Sequence, residues 1–203
     1  MQIYNLFPGS FASNCYLLLS DGHAAVIDPS ASADTILEKI KDTGAVLDMI
    51  LLTHGHFDHI FSLDELRERT GAPAYVHAAD EELPEDAHKN AFYTFFHSLR
   101  SFGRPERLLR DKEILTLGNE TISVLHTPGH TEGSVCFQCC DALFTGDTLF
   151  YGNIGRCDLY GGDEDTLRSS LDFLRTLPSD LTIYPGHGES CSLDEAFRSL
   201  YFY

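Results

Sequence analysis

Short apolar runs broken by turn residues run the length of the chain. "QIYNLF", "CYLLLS" and "AAVID" read as strands, and Asp21-Gly22 between the last two is a strong hairpin signal. In "SASADTILEKIKDTG" the positions Ala33, Ile36, Leu37 and Ile40 recur at helical spacing, with Gly44 as the stop. "DMILLT" reads as a buried strand, "FSLDELRERTG" as a helix and "APAYVHA" as another strand. "NAFYTFFHSLRSFG" predicts a helix or helix pair whose aromatic face packs on the body; a substrate wall or subunit contact is the alternative use of those rings. The second half returns to strands in "KEILTLG", "ETISVLHT", "GSVCFQC", "ALFTGD" and "LTIYPG". Two helices accompany them, "GGDEDTLRSSLDFLRTLP" and "SLDEAFRSLYFY", the latter with Ser192 and Glu195 at capping-box spacing. Strands followed by helices, twice over, predict two sheets with helices outside, and the hairpins argue against a purely parallel sheet.

The residues just beyond the apolar runs are chemically specific. After "MILLT" come His54, His56, Asp58 and His59; after "ISVLHTP" comes His130; after "ALFT" comes Asp147; after "LTIYP" comes His187. Imidazole and carboxylate suit zinc and neighbouring transition metals. Seven such groups exceed one tetrahedral site and suit two cations sharing a carboxylate. The simplest division gives His54, His56 and His130 to one cation and Asp58, His59 and His187 to the other, with Asp147 bridging, although spacing alone does not fix it. Each loop carries a glycine (Gly55, Gly129, Gly146 and Gly186), which allows sharp turns and close approach. His23, His77, His88, His97 and His126 stand outside this pattern and receive no role.

Composition narrows the function classes. The 203 residues suit one domain, and the net charge of -17, with 31 acidic against 14 basic residues, disfavours nucleic acid and anionic membranes as partners. No apolar run reaches the roughly 20 residues of a membrane span. The first residues lack a basic start followed by an apolar core, so the expected location is cytoplasmic, with the six cysteines reduced. Cys136, Cys139 and Cys140 in "CFQCC" read as buried structural thiols rather than a redox or zinc pair.

The strings "THGHFDH", "TPGHTEGS", "FTGDTLF", "GNIGRCDLYGGD" and "YPGHG", in this order, resemble the metallo-β-lactamase superfamily and, within it, the glyoxalase II (hydroxyacylglutathione hydrolase)-like branch. The resemblance implies a four-layer αβ/βα sandwich over residues 1–203. It also implies the ligand division above, with two divalent ions, zinc first and iron or manganese as alternatives, and Arg156 as the residue that meets the thiol carrier's carboxylate. The C-terminal helical extension that supplies further glutathione contacts in the longer glyoxalase II enzymes is not expected within residues 1–203. Flavodiiron members carry glutamate where this chain has His56, and the best-known zinc β-lactamases carry cysteine where it has Asp58. The expected activity is hydrolysis of a small-molecule thioester such as S-lactoylglutathione, with Asp58 orienting the nucleophile and taking its proton, in a monomer or weak homo-oligomer. Two alternatives stand beside it: a persulfide dioxygenase holding one iron through His54, His130 and Asp147, and a non-catalytic metal-binding protein on the same fold.

Overall fold

Alternation along the strands decides how the layers stack. In a computed structural model that describes residues 1–6, 11 and 13–200, the first half forms a six-stranded sheet. It contains β1 (Gln2–Asn5), β2 (Tyr16–Ser20), β3 (His23–Ile27), β4 (Val46–Leu51), β5 (Ala74–His77) and β6 (Arg107–Leu109), in that spatial order. The β1–β2–β3 part is an antiparallel meander; β3, β4, β5 and β6 run parallel. The hairpin pairs Tyr16 with Ile27 and Ser20 with His23, and Asp21 and Gly22 turn it with φ of 49° and 80°.

The second sheet contains β7 (Ile114–Leu117), β8 (Glu120–His126), β9 (Val135–Cys139), β10 (Ala142–Gly146), β13 (Thr182–Pro185) and β14 (Cys191–Ser192). Their spatial order is β14-β13-β10-β9-β8-β7. All neighbours are antiparallel except β10 and β13. A two-stranded ribbon, β11 (Leu149–Phe150) and β12 (Asn153–Ile154), comes after β10.

Because side chains alternate across a strand, each central strand feeds two cores. Leu17, Val26 and Ile50 pack outward against Ile36 and Ile40 of α1 (Ala33–Thr43) and Leu63 and Leu66 of α2 (Leu63–Thr70). Their strand neighbours Leu18, Ile27 and Leu51 point the other way, onto Val124, Phe137 and Phe144 of the second sheet. There the alternation repeats: Cys136, Leu143 and Ile183 face Leu167 and Leu171 of α4 (Glu164–Leu174) and Leu193 and Ala196 of α5 (Leu193–Ser199). Three apolar seams between four layers give the αβ/βα sandwich expected from the sequence. Ser32 caps α1 through Thr35 N, and Gly44 ends it in the left-handed region at φ 69°. Ser192 and Glu195 form the anticipated capping box at α5. Cys136 and Cys139 are buried, as read from the sequence, whereas Cys140 is exposed.

The aromatic segment departs from expectation. Only α3 (Phe92–Phe96) is helical there, for five residues, and none of its side chains is buried. Its flanks explain the short length: Ala91 at φ 67° and His97 at φ 51° both sit in the left-handed region and stop the helix at either end. Phe102 alone of the quoted aromatics is a core residue. The terminal "LYFY" and the end of "QIYNLF" reach beyond the described residues.

Candidate metal centre

The strands β4, β8, β10 and β13 all release their chains at one edge of the sandwich. Leu51 leads into His54, His126 into the loop of His130, Gly146 into Asp147, and Pro185 into His187. The amide of Val135 donates to Thr53 O at 2.9 Å and stitches the two sheets together beside the site. From the other side, Ser13 Oγ donates to Asp58 O at 2.6 Å, and Asn14 Nδ2 donates to Pro185 O at 2.8 Å and to Gly188 O at 3.0 Å.

All seven expected side chains meet at this edge. One ligand atom from each of His54, His56 and His130 lies within 4.8 Å of the others, and the same holds for Asp58, His59 and His187. Asp147 stands between the trios: its Oδ1 is 3.2 Å from His59 Nε2, and its Oδ2 is 3.5 Å from His130 Nε2 and 3.7 Å from His187 Nε2. Gly186 is obligatory for this approach, since a Cβ there would collide with Asp147 Oδ1 and the His59 ring.

Neighbouring groups decide which ring nitrogen is left to face the centre. Asp28 accepts from Thr53 N at 2.8 Å and Thr53 Oγ1 at 2.7 Å, and from His59 Nδ1 at 2.9 Å. With its one hydrogen given to Asp28, Thr53 Oγ1 can only accept from His54 Nδ1, 3.1 Å away. His130 Nδ1 donates to Arg156 O at 2.7 Å. His54, His59 and His130 are therefore each held by Nδ1 with Nε2 turned inward. His56 instead brings Nδ1 to within 2.9 Å of His130 Nε2.

Buried polar atoms test whether the cavity fits cations. Among the described residues, those left without a hydrogen bond are His54 Nε2, His56 Nε2, His59 Nε2 and Asp147 Oδ1, all in this cluster. Leaving a buried polar atom unsatisfied costs about 1–3 kcal/mol each. Cations accepting imidazole nitrogen and carboxylate oxygen would remove that cost, so the donor set fits the group.

Electrostatics agree with this. Burial drives His54 well below the usual imidazole range, reinforced by the charges of His59 and His56. Burial and then His130 push His56 down to about 3. Burial alone would raise the Asp147 carboxyl, but the adjacent His59 outweighs it and holds the group well below the carboxylate range. The same opposition, burial against His59 and a His187 hydrogen bond, leaves Asp58 lowered. Neutral His54 and His56 beside ionised Asp58 and Asp147 are in the protonation states that bind metal. Burial would lower His59 as well, but Asp147, Asp58 and Asp28 overcome it and raise this ring, whose proton a bound cation would displace.

Two buried carboxylates absent from the sequence reading hold the loops. Asp28, at φ 51°, ends β3 and orients the loop after β4. Asp80 accepts from Gly55 N at 3.2 Å, from Thr131 Oγ1 at 2.8 Å and from Gly133 N at 2.7 Å, tying the His54–His59 loop to the His130 loop. Arg156 lines the cavity as expected, but its Nε and one Nη donate to Asp158 at 2.6 and 2.7 Å. The cavity measures about 590 Å³, and its remaining walls are mostly apolar, with Phe11, Phe57, Phe95, Phe96 and Phe150 among them.

The profile of the Metallo-beta-lactamase superfamily matches residues 8–187, and the chain belongs to that superfamily. Its relatives include the hydroxyacylglutathione hydrolase GloC of Haemophilus influenzae, 34% identical over 195 residues that cover 94% of this chain and 92% of GloC. Among solved structures, the B3 metallo-beta-lactamase BLEG-1 superposes with a TM-score of 0.90 at 33% identity, covering 97% of each chain. TTHA1623 in a di-iron-bound form superposes with a TM-score of 0.86 at 32% identity, covering all of both chains. The protein is a metal-dependent hydrolase by superfamily, with a histidine-rich candidate dimetal site. Among the described residues no helix is long and apolar enough to cross a membrane.

Proposed function

We propose that the protein hydrolyses thioesters, using two divalent cations held by His54, His56 and His130 and by Asp58, His59 and His187, with Asp147 shared. The observation that carries this reading is the cluster of orphaned buried atoms on His54, His56, His59 and Asp147. Bound there, the cations supply Lewis acidity, lowering the pKa of water and polarising a carbonyl. Asp58, kept ionised beside His59 and 3.2 Å from His187 Nε2, orients the attacking water and takes its proton at Oδ2. Asp28 and the Arg156 carbonyl keep His59 and His130 from rotating as charge develops. A departing thiolate, from a thiol of pKa about 8.5, leaves without a strong general acid. GloC is a thioester hydrolase by name, and its similarity to this chain along nearly the whole length supports the same chemistry.

Asp58, His59 and His187 gather a second set of ligand atoms within 4.8 Å of one another, beside that of His54, His56 and His130, and this favours two cations over the single iron of a dioxygenase. The likeness to BLEG-1 favours a second reading, β-lactam hydrolysis. Such a ring opens at an amide, whose nitrogen needs a proton that a thiolate does not.

A panel of thioesters and β-lactams, offered to protein whose metals are quantified in the same preparation, tests this. Thioester turnover with about two metals per chain is expected. Turnover of β-lactams alone, or of nothing, refutes it.

A further inference from the structure

Three phenylalanines stand half in water at the mouth of the site. Phe11 is 46% exposed, Phe95 50% and Phe96 44%, in a chain of net charge -17. They line the same cavity as His56, Asp58, His130 and Asp147. They also form one packed surface, because all three rest on Phe57, with ring centroids 5.0 Å away for Phe11, 5.7 Å for Phe95 and 5.6 Å for Phe96. Phe57 is buried and lies in sequence between His56 and Asp58, so the wall begins where the reacting carbonyl must sit.

The wall is held by its backbone. Asn90, fully buried, donates to Pro84 O and Arg100 O at 3.0 Å each and accepts from Phe92 N at 2.9 Å, while its own carbonyl accepts from Phe57 N at 3.0 Å. The left-handed residues Ala91 and His97 bracket the presenting helix. Strained backbone that keeps apolar rings wet beside a cluster of metal-type ligands marks a ligand-contact surface.

Beside these rings, the described residues give the lining no free cation. Arg156 is the one Lys or Arg they contribute to the lining, and Asp158 occupies its fork. The pair is neutral overall, and the guanidinium carbon lies 5.7 Å from the centre of the Phe95 ring. Outside the ligand cluster, the described side chains of the lining thus offer no uncommitted cation to the carboxylates of a carrier, and a small hydroxyacyl group would leave the phenyl rings in water.

We infer that the substrate bears a neutral, bulky apolar acyl group, an aryl or branched chain, that lies on the Phe11–Phe57–Phe95–Phe96 wall. This rests on the thioesterase reading and names the substrate class that reading leaves open. Selection comes from ring contact with the acyl group, and Phe95 and Phe96 set it.

The test uses metal-loaded full-length protein and four thioesters: lactoyl and phenylacetyl, each on glutathione and on N-acetylcysteamine. A kcat/KM for phenylacetyl about tenfold or more above lactoyl on both thiols is expected. Phe95→Ala and Phe96→Ala should shrink that ratio by about tenfold, and Phe96→Leu by less. A preference for lactoyl, or a ratio that both alanine variants leave unmoved, overturns the inference. So does loss of an oligomer in those variants with the ratio unchanged, which would make the wall a contact between copies. Calorimetry with two uncleavable thioethers of N-acetylcysteamine, S-phenethyl and S-propyl, separates this from the parent reading. If no thioester is cleaved but phenethyl binds about tenfold tighter and Phe96→Ala erases the gap, the reaction assignment fails and the wall's selectivity stands. Equal binding of the two thioethers sinks the inference on its own.

Discussion

Residues 54–59 and residues 91–97 face one cavity and are held in opposite ways. In the first, the rings of His54, His56 and His59 are buried, and those of His54 and His59 have their outer nitrogens tied to Thr53 and Asp28. In the second, Asn90 and two left-handed residues fix the main chain while Tyr93, Phe95 and Phe96 of α3 stay exposed. Chemistry needs particular atoms at fixed points, so the protein immobilises side chains. Recognition of an apolar group needs a surface, so fixing the backbone suffices, and the rings can be exchanged at little cost to the fold.

The most severe break in that comparison comes from the first segment. His54→Ala removes an imidazole close to both other clusters, His56 with His130 and His59 with Asp147. Turnover should fall on the order of 1,000-fold with metal content reduced, while circular dichroism stays that of the folded protein. Full activity in this variant would detach the cluster from the reaction. Removing metal with a chelator should have the same effect reversibly, with recovery on adding back a divalent ion.

Next in size is the hinge between the two segments. Phe57→Ala empties a buried site under the wall and should cost about 3–5 kcal/mol, read from urea denaturation. Phe95→Ala and Phe96→Ala, at half-exposed positions, should stay within about 0.5 kcal/mol of the parent. Equal losses in all three would mean the wall is ordinary core and would erase the contrast.

This contrast also explains what could be read from the chain. The ligand cluster is legible because four donors crowd into six positions and the other three come after apolar strands beside glycines. The four layers are legible because continuous apolar runs such as "CYLLLS", "AAVID" and "ALFT" have no polar face, and a strand apolar on both faces serves two cores at once. The aromatic segment is ambiguous by nature, because a phenyl ring favours a core and an apolar ligand alike. Asp28, Asp80 and Asn90 are lone polar residues whose partners lie up to 53 positions away, in loops that only folding brings together. A hint existed for Asp28, the acidic end of an apolar strand. The strands β6, β11, β12 and β14 span only two or three residues, too few to show a period.

Asp80→Asn probes the first segment without touching the seven clustered groups. An amide in place of the carboxylate turns one acceptor into a donor facing Gly55 N, Thr131 Oγ1 or Gly133 N. Metal affinity should fall by about 10–100-fold, measured by competition with a chromophoric chelator. Because Asp80 acts through His56 and His130, kcat at saturating metal should recover more than affinity does. Asp80→Glu should restore affinity only in part. An unchanged metal affinity would show that the loops need no such tie.

The smallest effect separates the two segments by pH. His77, at the end of β5, stacks on His126 with ring centroids 4.0 Å apart and accepts from Ala79 N on the way to Asp80. Burial, and then the neighbouring His126, lowers its pKa to about 4. An unfolded chain takes up the proton near pH 6.5, the folded one only near pH 4. Over that window the unfolded state binds more protons, so stability falls as pH drops from about 6.5 to about 4 and is flat on either side. His77→Gln removes this term. The gap between parent and variant in urea midpoint should therefore move in the variant's favour as pH falls from 7 to 4.5, by a modest amount because the ring is only partly buried. The corresponding gap for Phe95→Ala should not vary with pH, since no titratable group is lost. A His77→Gln gap that is constant across the same range would show that this imidazole titrates alike in both states and that the stacked pair does not govern the acid response of the polar half.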